Sequence, residues 1–83
     1  MKAVYFASVR ERIGLSEEEI APPANVSTIA ELIAWLSARG EGYAAAFADA
    51  AKIRAAIDKT HARLESPIGA AKEIAFFPPM TGG

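Results

Sequence analysis

The stretch Thr28-Ile29-Ala30-Glu31-Leu32-Ile33-Ala34-Trp35-Leu36 decides the fold, because its pattern predicts the main helix. Thr28 and Glu31 have the spacing of a capping box, in which each residue satisfies a free backbone N–H of the other. The apolar residues then recur at helical spacing and form one stripe: Ile29, Leu32, Ile33 and Leu36. Gly40 fits the end of the helix, which is predicted over residues 28–39. The rest of the chain is expected to supply the sheet that this stripe covers.

The first predicted strand, Lys2–Ala7, precedes this helix and is apolar on both faces. A strand with apolar residues on both faces is expected in the interior of the sheet. Since lysine prefers water, the face of Lys2 is expected to point outward. Alternation then turns Val4 and Phe6 outward as well, onto a surface that is left for another component to cover.

Between the first strand and the helix, the sequence predicts a short helical turn and a second strand. The turn covers residues 8–13 and is closed by Gly14. The strand covers residues 16–21 and ends at Pro22-Pro23. Its run Glu17-Glu18-Glu19 indicates an edge strand with solvated carboxylates.

After the helix, the pattern predicts a second hairpin-like unit. Its segments are an alanine-rich helix at 43–51 anchored by Phe47, a strand at 52–58, a turn at 58–61, a return strand at 63–65 and a loop at 66–72. His61 is the one histidine of the chain. Without a second ligand type nearby, it is expected at the surface or against a partner.

Glu73–Phe77 is the last predicted strand. Its alternation places Ile74 and Phe76 inward and Phe77 outward. If this strand lies beside the first one, Phe6 and Phe77 form an exposed aromatic patch, which is typical of an interaction surface.

The order of elements predicts a single α+β domain, with one sheet packed on one main helix. We expect the domain to span residues 1–77 and an extended tail to span residues 78–83. Pro78-Pro79 ends the last strand because proline has no N–H for the ladder. Gly82-Gly83 has no Cβ atoms, so it can enter a narrow channel in a partner. The alternative without a function is that the two glycines are simply a frayed chain end.

Composition excludes several functional classes. A formal net charge of −1 gives no electrostatic case for binding nucleic acid or an anionic membrane. The absence of cysteine excludes disulfides, thiolate metal sites and a thiol nucleophile. Neither a membrane span, a metal-ligand cluster nor an acid–base pair stands out, so we expect a cytoplasmic protein that is not catalytic alone, with no metal and no stably bound cofactor.

Four parts of the chain resemble a known family: Val4–Ala7, Val9–Glu11, the helix that Thr28 begins, and Ile74–Gly83. They resemble the MoaD-type ubiquitin-like sulfur carriers, which are the small subunits of molybdopterin synthases. The resemblance covers the whole chain and is most specific at its two ends. It implies a β-grasp fold, with a mixed sheet on one main helix, and a role in molybdenum cofactor biosynthesis.

The resemblance also implies a mechanism and two partners. An E1-like activating enzyme uses ATP to adenylate the carboxylate of Gly83, and sulfur then converts it to a thiocarboxylate. The large synthase subunit, with which the family forms a heterotetramer, accepts the tail, and the sulfur passes to a pyranopterin precursor. The resemblance implies that Gly83 is the residue to which AMP and sulfur are attached. It also implies that a set of residues contacts the partners: Phe6, Arg10, Phe77, Pro78, Pro79, Met80, Thr81 and Gly82.

Two positions depart from the family pattern. The turn before the last strand reads Gly69-Ala70-Ala71-Lys72 in place of an acidic, glycine-containing turn. His61 stands where the family often has an apolar contact residue. Three alternatives stay open: a sulfur carrier for another pathway such as thiazole synthesis, a modifier that is conjugated to lysines, and an adaptor that only binds. The adaptor alternative predicts no loss of function when Gly82-Gly83 is deleted.

Overall fold

Five strands and three helices are described in the computed structural model, which covers residues 1–79. In chain order they are β1 (Lys2–Tyr5), α1 (Ala7–Ile13), β2 (Glu17–Glu19), α2 (Ile29–Ser37), α3 (Glu41–Ala46), β3 (Arg54–Ile57), β4 (Thr60–Ala62) and β5 (Glu73–Phe77). A single 3-10 turn at Ala50–Lys52 precedes β3. The predictions on Met80, Thr81, Gly82 and Gly83 lie outside the described residues.

The strands form one mixed sheet in the order β2-β1-β5-β3-β4. β1 and β5 are parallel neighbours, whereas the other three pairs are antiparallel. Tyr5 lies opposite Phe76 on β5, and Phe76 lies opposite Ala55 on β3. The predicted α+β sheet on one main helix is therefore confirmed. The first and last strands are neighbours, which meets the condition for an aromatic patch of Phe6 and Phe77.

The capping box of α2 is formed as the sequence predicts. The Thr28 hydroxyl accepts a hydrogen bond from the Glu31 N–H at 3.2 Å, and the Glu31 carboxylate accepts one from the Thr28 N–H at 3.1 Å. Glu31 also accepts from the N–H and hydroxyl of Ser27, and these bonds, led by those from Ser27, lower the pKa of Glu31. The whole apolar stripe of the helix is buried: Ile29, Leu32, Ile33 and Leu36.

The inner face of the sheet meets this stripe in one core. Phe76 is fully buried in the central strand. Its ring stacks on Tyr5 with centroids 6.2 Å apart and meets the ring of Phe47 edge-on at 5.4 Å. The inward prediction for Ile74 and Phe76 is therefore confirmed, as is the role of Phe47 as an anchor.

The predicted ends of α2 and α3 are wrong. α2 ends at Ser37, whose hydroxyl donates to the Ile33 carbonyl at 2.8 Å and competes there with the helical ladder. Gly40 does not close α2, because it is the N-cap of α3 in extended geometry, with φ 162°. The alanine-rich helix is also shorter than predicted, since Phe47 leaves helical geometry where its ring packs against Phe76.

The return strand is β4, three residues earlier than predicted. The turn before it needs only Asp58-Lys59, both with positive φ (47° and 72°), as two-residue hairpin turns require. The Asp58 carboxylate accepts the N–H groups of Lys72 and Glu73 at 3.0 and 2.9 Å and so ties this turn to the start of β5. Residues 63–66 form a turn instead of a strand.

Glu18 is not a solvated edge residue, contrary to the sequence prediction. It faces inward on β2 and accepts hydrogen bonds from the hydroxyls of Tyr5 at 2.8 Å and Tyr43 at 2.7 Å. Arg39 adds an ion pair at 3.4 Å, and its guanidinium lies over the rings of Trp35 and Tyr43. This cluster joins the edge strand to the helices.

The buried Tyr5 hydroxyl makes the fold sensitive to alkaline pH. Burial, followed by the hydrogen bond to Glu18, raises the pKa of Tyr5 above its usual range. The stabilisation is complete below about pH 10, where the unfolded tyrosine is still protonated, and is lost as pH rises towards the folded pKa. We expect Tyr5 to contribute a loss of about 1.4 kcal/mol of unfolding free energy per pH unit above about pH 10.

Urea unfolding from about pH 9 to about pH 11 measures this loss, with Tyr5→Phe as the comparison. The variant lacks the titrating hydroxyl and keeps the ring, so its stability should fall less steeply. Equal slopes for the two proteins would contradict the prediction.

Candidate functional site: the open face of the sheet

One face of the sheet is buried beneath helices and the other is left open. Residues on the inner side, such as Ala3 and Tyr5, are fully buried, whereas their outward neighbours are half-buried or exposed. We call the outward surface the open face; it comprises Lys2, Val4, Phe6, Glu17, Glu19, Arg54, Ala56, His61, Glu73, Ala75 and Phe77.

The middle of the open face is small and apolar. Val4 lies opposite Ala75, and Ala75 lies opposite Ala56, so three small side chains cross the sheet in one row. His61 extends this row on β4 and Glu17 extends it on β2. A row of short side chains leaves the sheet accessible to close approach by another protein.

The two predicted aromatic residues lie at the end of the sheet where the tail leaves. Phe6 is 48% exposed, and its N–H donates to the Phe76 carbonyl at 3.1 Å, which places Phe6 beside the last residues of β5. Phe77 is half-buried on the open face, with its ring edge-on to His61 at 5.6 Å. His61 therefore belongs to this surface and contacts the root of the tail.

The strand β1 stops before this point, which corrects the prediction that it includes Ala7. Phe6 is extended and Ala7 has φ 50°, so the chain turns sharply into α1. Arg10 lies exposed on this helix, and its N–H donates to the Phe6 carbonyl at 3.3 Å. The helix packs tightly on α3: a Cβ at Gly42 would lie 2.6 Å from the Arg12 carbonyl oxygen.

Leu15 is a surface residue that the sequence reasoning missed. It is 43% exposed and precedes Ser16, whose carbonyl accepts the Tyr5 N–H at 2.8 Å. It therefore lies at the same end of the sheet as Phe6. The available signal was a lone leucine between Gly14, which ends a helix, and an acidic strand, where a solvated residue is expected.

The last strand ends at the residue that the sequence predicts. β5 ends at Phe77, and Pro78 and Pro79 follow it, both half-buried. Because β1 and β5 are parallel, the chain leaves β5 at the same end of the sheet at which Phe6 follows β1.

Residues 1–79 offer neither a metal-binding cluster nor a membrane-spanning helix. No group of three or more histidine, aspartate and glutamate side chains there could hold a metal ion. In the same part of the chain, no helix combines the length and the apolar character that crossing a membrane requires.

Comparison with known proteins confirms the resemblance that the sequence suggests. The ThiS family model matches residues 3–83. The molybdopterin synthase sulfur carrier subunits of Escherichia coli (strain K12) and Haemophilus influenzae are 36% and 34% identical to this chain, over 100% of its length and 99% of theirs. The crystal structure of SAMP1 from Haloferax volcanii has a TM-score of 0.71 at 22% identity, covering 100% of this chain and 98% of that one.

At that identity the structural likeness shows the fold alone, which is the ubiquitin-like β-grasp. The family match and the two full-length relatives together show more than the fold. The chain belongs to the ThiS family, together with the molybdopterin synthase sulfur carrier subunits of Escherichia coli and Haemophilus influenzae.

Proposed function

We propose that this chain is the sulfur carrier subunit of a molybdopterin synthase, acting in molybdenum cofactor biosynthesis. The observation that carries the proposal is the end-to-end alignment with two relatives of that name, at 36% and 34% identity. The alignment to the family reaches residue 83 and so includes Gly82-Gly83. The relatives are carrier subunits by name, so the carrier is not catalytic alone.

The proposed chemistry takes place at the carboxylate of Gly83. An activating enzyme lets this carboxylate attack the α-phosphorus of ATP, so that pyrophosphate leaves and an acyl-adenylate with an electrophilic acyl carbon forms. A sulfur nucleophile then attacks that carbon, the bond to AMP breaks, and a thiocarboxylate remains. The absence of cysteine is consistent with sulfur carried on the acyl group. We place these steps in the cytoplasm, where ATP is available.

In the proposed complex, the open face docks on the large synthase subunit while the tail enters it. An exposed apolar surface next to the root of the tail supports this arrangement, since such surfaces on small domains are typical of protein interfaces. Phe6 and Phe77 act as its aromatic anchors, with Leu15 beside them. Arg10, Pro78 and Pro79 contact the same partner, and Met80 to Gly83 reach its active site.

Phe6→Asp tests the docking surface with little expected damage to the fold. Phe6 occupies the N-cap of α1, where aspartate is favoured, and nearly half of its surface is exposed. We expect the variant to bind the large subunit about 30-fold or more weakly, because a central aromatic contact is replaced by a charge. Calorimetry or surface plasmon resonance with the large subunit measures the change.

Ala34→Asp is the matched control. It adds the same charge at an exposed position of α2, on the opposite side of the sheet. Its affinity should equal that of the unmodified chain. If Phe6→Asp binds as tightly as this control, the open face is not the docking surface.

A further inference from the structure

The charges of the open face are separated from one edge of the sheet to the other. On the β2 side, Glu17 pairs with Lys2 at 3.3 Å, and Glu19 pairs with the amino group of Met1 at 3.2 Å. The acidic side chains of this edge are thus already matched by cations of the chain itself. The opposite edge carries cations instead.

We call that opposite edge the basic edge, defined by Arg54, His61 and Arg63. Arg54 is exposed on β3 and lies opposite Phe77 in the register of the sheet. His61 touches the ring of Phe77 from β4. Arg63 directly follows β4, and its pair with Glu65, at 3.8 Å between side chains that are 85% and 74% exposed, is weak.

Among the residues that the structure describes, acidic side chains of the neighbouring strands do not pair with the basic edge. Within residues 1–79, no carboxylate forms an ion pair with Arg54. Glu73, the acidic residue of β5 on the open face, lies opposite Lys2 at the far end of that strand. Since the whole chain has a formal net charge of −1, this positive region is a local feature and not a consequence of the overall charge.

A partner that covers Phe77 must also approach the basic edge. Burying a guanidinium against an apolar surface is costly unless a carboxylate is supplied to it. Arginine recognises carboxylates through paired, parallel hydrogen bonds. Charges of opposite sign at the rim of an interface also accelerate association and fix the orientation of the two proteins.

We propose that the protein that docks on the open face presents acidic side chains to the basic edge. The inference rests on the proposed function, in which that protein is the large synthase subunit. Acidic residues opposite Arg54 and Arg63 orient the carrier about its aromatic anchors, so that the tail points into the partner. The β2 edge, whose carboxylates are already paired, gives no comparable attraction. The attraction therefore acts at one edge only and favours a single orientation of the carrier on its partner.

Stopped-flow or surface plasmon resonance association with the large subunit from the same organism tests this inference. Arg54→Glu and Arg63→Glu are each expected to lower the association rate constant about tenfold at low salt, and the difference should shrink as salt is raised. Lys72→Glu is the matched control, because it makes the same charge change at an exposed position beside Glu73, far from Phe77. Its rate constant should fall much less.

The salt dependence of the wild-type chain is a test that needs no variant, because its association rate constant should decrease as the salt concentration increases. Arg54→Gln serves as a milder change if Arg54→Glu lowers the stability of β3. A salt-independent wild-type rate, or equal effects of Arg54→Glu and Lys72→Glu, would overturn the inference. If Phe6→Asp still weakens binding in that case, the proposed function stands without it; if the wild-type chain does not bind the large subunit at all, both fail.

Discussion

A chain with one extra residue after Gly83 is expected to lose all sulfur transfer to the pyranopterin precursor while keeping its folding stability. The added residue moves the carboxylate away from the position that the two glycines reach. It also adds a Cβ atom to a segment that Gly82-Gly83 keeps narrow. Because the tail lies beyond β5, the core beneath Phe76 is unaffected, and urea unfolding should give the same midpoint for both chains.

The assay is molybdopterin formation by the reconstituted synthase. The control is a chain whose extension carries a protease site, so that cleavage directly after Gly83 restores the original end. Transfer should return on cleavage. Molybdopterin formation at the normal rate with the extended chain would show that Gly83 is not the attachment point, and it would favour a protein that only binds partners.

Phe76→Ala is expected to produce the largest loss of stability in the fold. The side chain is fully buried, in contact with the rings of Tyr5 and Phe47, and replacing such a phenylalanine costs about 3–5 kcal/mol. A domain of this size has a total unfolding free energy on the order of 4–12 kcal/mol, so the substitution should remove at least about a quarter of it and lower the urea midpoint accordingly.

Phe77→Ala is the neighbouring control for Phe76→Ala. Phe77 lies one position along the same strand and points to the open face, where it is half-buried. Its replacement should lower the unfolding free energy measured in urea clearly less than Phe76→Ala does, while it weakens binding to the large subunit. Equal losses of stability for the two variants would contradict the assignment of the two faces of β5.

Local chemistry explains why the central parts of the fold could be predicted from the sequence. The capping box of Thr28 and Glu31 is complete within four residues, and a stripe of apolar residues needs only helical spacing to be recognised. The faces of β5 follow from alternation along five residues. The aromatic part of the candidate site was predicted in the same way, because Phe77 lies on an outward position of β5 and Phe6 directly follows β1, the neighbouring strand.

The wrong predictions concern features set by distant contacts or unusual backbone geometry. Glu18 lies opposite the buried Ala3 and accepts a hydrogen bond from Tyr43, 25 residues away, and no local pattern reveals that contact. β4 begins earlier than predicted because Asp58-Lys59 adopts positive φ without a glycine to indicate it. The basic edge likewise becomes visible only when the register brings Arg54 beside Phe77.

Intact-mass spectrometry is the most direct test of the proposed sulfur carrier function. The protein is incubated with ATP, its activating enzyme and a sulfur source, and fragmentation locates any change in mass. The proposed function predicts a gain equal to the exchange of one oxygen atom for one sulfur atom, located at Gly83. An unchanged mass in the presence of an activating enzyme that is shown to be active would contradict it.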